Sequence, residues 1–312
     1  MKNKSYTKKC KKCSEKQIIK FWFKRWKQRY KCKSCNYIFV NKSRTKQTTQ
    51  SLLWKDFAFW KQTYKQLSEK YNISIKTVQK LLDEYKLPKL KINPQEIVLL
   101  IDTTYFWDIW IMAFKDYHSK RILKYKLVSN ENYTSYKFWI DELIREWWKI
   151  KAIVCDWKRW LLWGFLNIPT QMCNFHQVQI ITRYITKKPR LEANKDLRKL
   201  TLLLTETDKD TFHYYLNKWY IQYLDFIKEK AIDENWKSYY VHKRTRSAYF
   251  SLKRNLQYLF TYYDYIWKVD IPNTTNGLEW FFSHLKTKVR IHPWLKKERK
   301  IKLILSLLIG HF

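Results

Sequence analysis

The alternation of apolar and polar positions changes near residue 95, where continuous apolar runs of strand length begin. Such runs cover residues 97–101, 109–114 and 121–128, and an amphipathic helix is predicted over 133–148. Further strands are predicted at 151–155 and, after a short helical segment, at 168–173. Because continuous apolar runs of this length are typical of strands buried on both faces, we predict a mixed α/β domain here.

The rest of this half is predicted to be helical. Residues 191–266 carry Leu, Tyr, Lys and Glu at helical spacing and few turn residues, which predicts an all-α stretch. Asn276 is expected to cap a helix that carries Glu279 in its first turn, and residues 300–309 form a last apolar helix. Three strands, a helix, a strand, a helix and a strand are the order of an RNase-H-like sheet. We therefore predict such a core, with a mixed five-stranded sheet and an all-α insertion.

Two short amphipathic helices are predicted upstream, over residues 62–85. Asn72 lies where a turn needs a left-handed residue, and Ser74 is placed to cap the second helix. That helix is expected to direct inward the side chains of Ile75, Val78, Leu81 and Leu82. The pattern indicates a helix-turn-helix, with an ordinary helical hairpin as the alternative. Its DNA-facing residues would be Lys76, Thr77, Gln79 and Lys80, and the apolar-free segment 41–50 is expected to be a linker.

Four of the six cysteines lie in two Cys-x-x-Cys pairs near the N-terminus. Cys10 and Cys13 form the first pair, and Cys32 and Cys35 form the second after a gap of 18 residues. This spacing is typical of a zinc ribbon, in which four thiolates hold one structural Zn²⁺. A segment this short buries too little apolar surface to fold alone, so the metal would supply the folding free energy.

Composition narrows the choice of partner. The chain has 63 Lys and Arg against 27 Asp and Glu, a formal net charge of +36. A charge this large favours a polyanionic partner, most simply nucleic acid. No apolar run is long enough to span a membrane, and the basic, polar start shows no secretory signal, so we expect a cytoplasmic protein with no membrane partner and no small-molecule substrate.

Three acidic residues follow the pattern of a divalent-cation site. Asp102 and Asp156 are placed at the carboxyl ends of predicted strands, and Glu279 at the start of a helix. If the two strands are neighbours, the carboxylates converge at the sheet edge where ligands bind. Carboxylate oxygens suit Mg²⁺ or Mn²⁺, and two such ions support in-line phosphoryl displacement. Each Asp taken singly has an alternative role as a strand-end cap.

The chain resembles the DDE transposases of bacterial insertion sequences, in the Mutator-like group, in a variant with an N-terminal zinc ribbon. Besides the helix-turn-helix, the matching segments are residues 28–35, 101–105, 154–156, 171–177 and 276–279. The resemblance implies Asp102, Asp156 and Glu279 as the catalytic triad, with two Mg²⁺ ions cleaving DNA and joining a 3′-hydroxyl end to target DNA. It also implies a homodimer or a higher oligomer, since two transposon ends are paired.

Other residues have assignments that the sequence leaves open. Cys173 and His176 form a Cys-x-x-His element, which provides half of a zinc site or a packing role. Lys158 and Arg159 follow Asp156 and are candidates to hold the scissile phosphate, while Arg244 and Arg246 are candidates to hold a transposon end. The alternatives for the whole chain are an RNase-H-like nuclease or resolvase without strand transfer, and a non-catalytic DNA-binding regulator.

These assignments predict five segments along the chain. They are a ribbon over 1–42, a helix-turn-helix over 43–92, the first part of the core over 93–185, the insertion over 186–270, and the last part of the core, with the Glu279 helix, over 271–312.

Glycine is depleted and tryptophan is enriched. The chain has 3 Gly and 17 Trp, whereas average usage predicts about 22 Gly. Some bacteria translate the UGA codon as glycine and others translate it as tryptophan. We therefore interpret many of the Trp positions as glycine in the native chain. Trp22, Trp26, Trp157, Trp280 and Trp294 lie at predicted turns or beside the predicted site, where Gly is expected. A genuinely Trp-rich protein is the alternative.

Overall fold

The computed structural model describes residues 9–10, 12–24, 27–40, 46–88, 92–107, 109–156, 158–165 and 167–310. The chain divides into two compact units, Met1–Lys86 and Leu87–Phe312, which are described separately. The finer division into five segments remains a prediction.

The first unit combines a small sheet with three helices. Strands β1 (Ile18–Lys24), β2 (Lys27–Cys32) and β3 (Ile38–Val40) pair antiparallel in the order β1-β2-β3. They are followed by α1 (Lys46–Ala58), α2 (Tyr64–Tyr71) and α3 (Ile75–Glu84). Helix α1 begins inside the segment 41–50, so the linker predicted there is wrong for residues 46–50. Its buried side chains Leu53, Trp54 and Phe57 lie further along the helix, beyond that polar stretch.

The turn between α2 and α3 follows the predicted pattern closely. Asn72 adopts the left-handed conformation with φ 50°, and the Ser74 side chain accepts a hydrogen bond from the backbone N–H of Thr77. Val78 and Leu82 are buried, whereas Leu81 is only half-buried. The inward position predicted for Ile75 is wrong, because this first residue of α3 is exposed.

The second unit is built on the predicted mixed five-stranded sheet, which the structure confirms. Its strands are β4 (Glu96–Phe106), β5 (Ile109–Asp116), β6 (Ile122–Val128), β7 (Lys149–Cys155) and β8 (Thr170–Met172), in the order β6-β5-β4-β7-β8. Strands β4, β5 and β6 pair antiparallel, and β7 lies parallel between β4 and β8. Central strand β4 is buried from Ile97 to Ile101, which explains its unbroken apolar run.

Helices cover the sheet and form the insertion. They are α4 (Tyr133–Arg145), α5 (Arg159–Trp163), α6 (Asn174–Ile185), α7 (Glu192–Leu202), α8 (Lys209–Gln222), α9 (Leu224–Lys228), α10 (Lys243–Leu259), α11 (Thr261–Asp264), α12 (Asn276–Arg290) and α13 (Lys297–Ile309). The insertion is not all-α as predicted, because β9 (Lys230–Ile232) and β10 (Ser238–Tyr240) form an antiparallel hairpin within it. Across the described ranges, every helix is too short or too polar to cross a membrane.

Buried amide side chains join the sheet to the insertion. Gln171, on β8, donates to the carbonyl oxygen of Leu259 at 3.0 Å, and Asn174, on α6, donates to that of Leu204 at 3.2 Å. Gln177 donates to the Ser251 hydroxyl at 3.2 Å. Because a buried amide without a partner costs about 1–3 kcal/mol, these bonds favour the observed packing of the insertion on β8 and α6.

Three tryptophans occupy backbone positions that favour glycine. Trp147 has φ 70°, Trp236 has φ 59° and Trp107 has φ 55°. Trp147 follows α4 in a Schellman arrangement: its N–H donates to the Ile144 carbonyl at 3.0 Å, and the next N–H donates to that of Leu143 at 3.1 Å. Glycine is the usual residue at this position.

The other two lie in hairpin turns. Trp236 lies in the β9–β10 turn, and Trp107 begins the two-residue β4–β5 turn, both places where a positive φ favours glycine. The backbone thus favours the interpretation of these positions as glycine. Trp22, predicted at a turn, lies instead within strand β1, and Trp26 and Trp157 lie outside the described residues.

Candidate metal and nucleic-acid site

The four N-terminal cysteines converge in the first unit. Cys10 and Cys35 have their sulfur atoms 3.5 Å apart, and the sulfur atoms of Cys13 and Cys32 are 3.6 Å apart. All four sulfurs lie within 4.8 Å of one another. A tetrahedral ZnS₄ centre with bonds of 2.3 Å has sulfur–sulfur edges of about 3.8 Å. Backbone hydrogen bonds from Cys35 and Ser34 lower the pKa of Cys32 to about 6, which favours a thiolate there. The cluster is therefore compatible with zinc.

The three predicted acidic residues lie around one edge of the sheet in the second unit. Asp102 was predicted at the end of its strand. It lies inside β4 instead, because the β4–β5 hairpin extends this strand to Phe106. The parallel pairing of β4 with β7 stops at Leu100, so Asp102 lies where β4 extends past its neighbour. Asp156 follows β7 directly, and Glu279 lies in the first turn of α12.

Electrostatics show that these carboxylates interact. Burial raises the pKa of Asp102 to about 7, and the charges of Asp156 and Glu279 add to this rise while His176 opposes it. The side chain of Asp102 accepts a hydrogen bond of 2.8 Å from the backbone N–H of Thr103. A buried carboxylate that lies near other negative charges is stabilised in its ionised form by a bound cation.

A closer group forms around His176, the third residue of α6. Its Nδ1 lies 3.6 Å from Glu279 Oε1 and 3.7 Å from Asp156 Oδ1. Cys173, His176 and Glu279 each place a ligand atom within 4.8 Å of the others. Within the described ranges, the four-cysteine cluster is the other group whose ligand atoms are this close together. The carboxylate oxygens of Asp102, Asp156 and Glu279 are therefore not all within 4.8 Å of one another. Burial alone would lower the pKa of His176, but Cys173, Asp156 and Glu279 outweigh it and raise this pKa to about 9.

Thr275 links Cys173 to Glu279. Its backbone N–H donates to Cys173 Sγ at 3.3 Å, and its hydroxyl lies 3.2 Å from the same sulfur and 3.0 Å from Glu279 Oε1. Thr275, not Asn276 as predicted, precedes the first residue of α12. The sequence offers no distinct signal for this role of Thr275, since it is one of two adjacent threonines.

Further contacts fix the start of α12. The buried amino group of Lys115 donates to the carbonyl oxygen of Gly277 at 2.9 Å. The backbone N–H of Asn174 donates to the carbonyl oxygen of Asn273 at 2.9 Å. No local pattern marks Lys115, because its partner is 162 positions away along the chain.

A second polar network lies beside Asp102. The Thr103 hydroxyl is 2.6 Å from the Tyr136 hydroxyl, which donates to Glu131 at 2.8 Å. The Lys158 amino group contacts the other carboxylate oxygen of Glu131. Lys158, predicted to hold a phosphate, therefore already has an acidic partner. The side chain of Arg159 lies outside the described part of the structure.

Residues predicted to bind DNA are mostly exposed. Lys76 and Lys80 are exposed on α3 and Gln79 is half-buried, while the Thr77 hydroxyl lies 2.9 Å from that of Ser74. On α10, Arg244 donates to the carbonyl oxygen of Arg183 at 2.7 Å. Arg246 stacks its guanidinium group 4.0 Å from the Tyr240 ring and 4.7 Å from the Phe250 ring.

Known proteins were compared with this chain by sequence and by structure. No protein-family model matches the chain, and no curated protein is similar to it in sequence. Among solved structures, the Drosophila P element transposase strand transfer complex is similar to this chain, with 10% identity and a TM-score of 0.34. The match covers 89% of this chain and 79% of that one.

Proposed function

We propose that this chain is a DNA transposase that binds transposon ends and carries out Mg²⁺-dependent strand cleavage and strand transfer. The observation that supports the proposal is the meeting of Asp102, Asp156 and Glu279 around one sheet edge. Asp102 lies on β4, Asp156 directly follows the parallel strand β7, and Glu279 belongs to a helix whose start is held by Lys115 and Thr275.

The donor set fits two hard divalent cations. Asp102, Asp156 and Glu279 would hold Mg²⁺ or Mn²⁺ through carboxylate oxygens. Burial raises the pKa of Asp102 and the charges of Asp156 and Glu279 add to the rise, and a bound cation would stabilise the ionised carboxylates there. When bound, the two ions would activate the attacking hydroxyl and stabilise the leaving oxygen.

The protein's own contribution is positioning. The buried pairing of β4 and β7 fixes Asp102 relative to Asp156. Thr275, which donates to Glu279, and Lys115, which holds the first turn of α12, fix Glu279 relative to the sheet. Such positioning and electrostatic stabilisation account for most of the rate enhancement in phosphoryl transfer.

DNA binding is proposed for the first unit and the insertion. The net charge of +36 favours a polyanion, and Lys76 and Lys80 are exposed on α3. The zinc ribbon and the helix-turn-helix would hold the transposon ends, and Arg246 on α10 would add contacts in the insertion. A dimer or higher oligomer on DNA follows from the need to pair two ends. The RNase-H-like core and the five-segment division given above are part of this proposal.

The decisive experiment uses the full chain with Mg²⁺ and DNA that carries the terminal repeats flanking its gene. We expect cleavage at the element boundary followed by joining to a target plasmid. Asp102→Asn, Asp156→Asn and Glu279→Gln should each abolish both steps. Asp141→Asn on the exposed side of α4 is the matched control and should leave both steps intact.

Other results of this experiment would identify one of the alternative functions. Cleavage without joining would identify a nuclease or resolvase. No cleavage by a folded chain that binds the ends would overturn the catalytic proposal and identify a regulator.

A further inference from the structure

The buried Nδ1 atom of His176 has no hydrogen-bond partner in the described structure. Its distances of 3.6 Å to Glu279 Oε1 and 3.7 Å to Asp156 Oδ1 are too long for hydrogen bonds. Two ligands of a tetrahedral zinc ion with bonds of 2.0–2.2 Å are separated by about 3.4 Å. The spacing around Nδ1 is therefore close to the edge of a metal tetrahedron.

Cys173 provides a third donor of a different chemical kind. It is fully buried, and Cys173, His176 and Glu279 keep their ligand atoms within 4.8 Å of one another. Cys173 precedes α6 directly and His176 is its third residue, so both side chains project from the start of one helix. The Thr275 N–H donates to Cys173 Sγ at 3.3 Å, which fixes the position of this sulfur relative to the start of α12.

We propose that Cys173, His176 and Glu279 form a transition-metal site that takes Zn²⁺, with a water molecule as the fourth ligand. Sulfur, nitrogen and one carboxylate oxygen are the donor set that zinc prefers, whereas Mg²⁺ and Ca²⁺ prefer oxygen alone. This site is separate from the four-cysteine cluster of the first unit.

A metal here would join α6 to α12 at the point where the insertion meets the sheet. The proposal does not depend on the transposase activity, although Glu279 belongs to both donor sets. Because Zn²⁺ bound here would draw on the charge of Glu279 and repel a second cation nearby, we expect it to compete with Mg²⁺ at this residue. Cleavage in Mg²⁺ should then be inhibited by added Zn²⁺, and Cys173→Ser should weaken that inhibition at least tenfold.

The direct test is the metal content of the full chain purified with Zn²⁺ and freed of excess metal. We expect two zinc ions per chain in the wild type, one for each donor group, and one in Cys173→Ser and in His176→Ala. Cys155→Ala is the matched control, because Cys155 is equally buried at the end of β7 but belongs to neither group. It should keep both ions.

Cobalt substitution identifies the ligands independently of folding differences between variants. In the full chain with Cys10, Cys13, Cys32 and Cys35 all replaced by serine, Co²⁺ should still give tetrahedral d–d bands and a thiolate-to-cobalt charge-transfer band. Adding Cys173→Ser should remove that charge-transfer band while the far-ultraviolet circular dichroism stays unchanged.

Equal zinc content in the wild type and in Cys173→Ser would overturn this proposal. Absence of the thiolate band in the cobalt experiment would also overturn it, and a protonated His176 would then balance Asp156 and Glu279 alone. Both readouts are independent of DNA cleavage, which is measured separately in Mg²⁺. A chain that cleaves DNA but holds no zinc at Cys173 leaves the transposase proposal intact.

Discussion

The amino group of Lys115 on β5 donates a hydrogen bond of 2.9 Å to the carbonyl oxygen of Gly277, two residues before Glu279. Burial lowers the pKa of Lys115, and its amino group lies 5.4 Å from the centre of the Phe281 ring. A charged donor thus holds the first turn of α12 from inside a largely apolar environment. We expect this contact to position Glu279.

Lys115→Met should impair DNA cleavage far more than it impairs folding. The methionine keeps most of the volume but cannot hold Gly277, and misplacement of a catalytic group by about 1 Å costs about a hundredfold in rate. We expect cleavage to fall at least tenfold, while urea unfolding shows a free-energy change below about 2 kcal/mol.

The control for this change is Lys137→Met, which removes an exposed ion pair with Asp141 on α4. It should alter neither cleavage nor stability measurably. Unimpaired cleavage by Lys115→Met would show that the contact does not position Glu279.

Asp102 should make the metal-free protein less stable as the pH rises. Its folded-state pKa is raised to about 7, against about 3.9 for an unfolded chain. Between these values the folded chain binds more protons than the unfolded chain, so the stabilising contribution is complete at low pH and is lost as the pH approaches 7.

Asp102→Asn removes this dependence. In EDTA, the free energy of unfolding of the Asp102→Asn variant minus that of the wild type should increase by about 3 kcal/mol between pH 5 and pH 8. Denaturant titrations at several pH values measure the difference. If the two curves run parallel, the pKa of Asp102 is not raised in the folded chain.

Trp147→Gly and Trp236→Gly should stabilise the chain as written. Both residues are exposed and hold a positive φ, so the indole rings gain little from burial. Relief of the left-handed strain stabilises the folded chain, and the greater freedom of glycine in the unfolded chain offsets part of this gain. The free energy of unfolding should therefore increase by about 0.5 to 1 kcal/mol per site. Thermal denaturation gives the readout.

The matched control is Trp219→Gly. Trp219 is buried, and its indole N–H donates to the carbonyl oxygen of Ala193 at 2.9 Å, so this change should destabilise by more than about 3 kcal/mol. Peptide mass spectrometry of the native protein should find glycine masses at positions 107, 147 and 236. Tryptophan masses there would show that the sequence is read as written.

Removing zinc from the four-cysteine cluster should unfold the small sheet selectively. Beyond the cysteines, the described strands β1–β3 bury little apart from Phe39, so the metal would supply most of their folding free energy. A chelator, or Cys32→Ser, should make residues 9–40 sensitive to limited proteolysis while α1–α3 stay protected. Resistance of that segment without metal would contradict a folding role for the ion.

Replacing Lys76 or Lys80 with alanine should weaken DNA binding without changing its sequence preference. If each lysine contacts one phosphate, the slope of log K against log salt concentration should fall by about 1 per variant. Lys65→Ala, an exposed lysine on α2, is the control. Unchanged slopes for Lys76 and Lys80 would show that α3 does not face DNA.

Local signals in the sequence sufficed for much of the fold. The unbroken apolar run at 97–101 predicted a strand buried on both faces, and the two Cys-x-x-Cys pairs predicted a four-sulfur cluster. Asn72 and Ser74 predicted the turn of the two short helices, because turn and cap chemistry acts over a few residues. The length of β4 beyond Asp102 was missed, since it depends on the hairpin partner rather than on the strand's own residues.

The sequence by itself determined most of the sheet strands, the two short helices and the cysteine cluster, because hydrophobic periodicity, caps and metal-ligand spacing are properties of neighbouring residues. Only the tertiary structure decided which side chains meet at the sheet edge. The hydrogen bond from Lys115 to Gly277, the contacts of Thr275 with Cys173, and the spacing of His176 from Glu279 all join segments about 100 or more residues apart. Such contacts leave no periodic pattern, since they result from packing the whole second unit against one sheet.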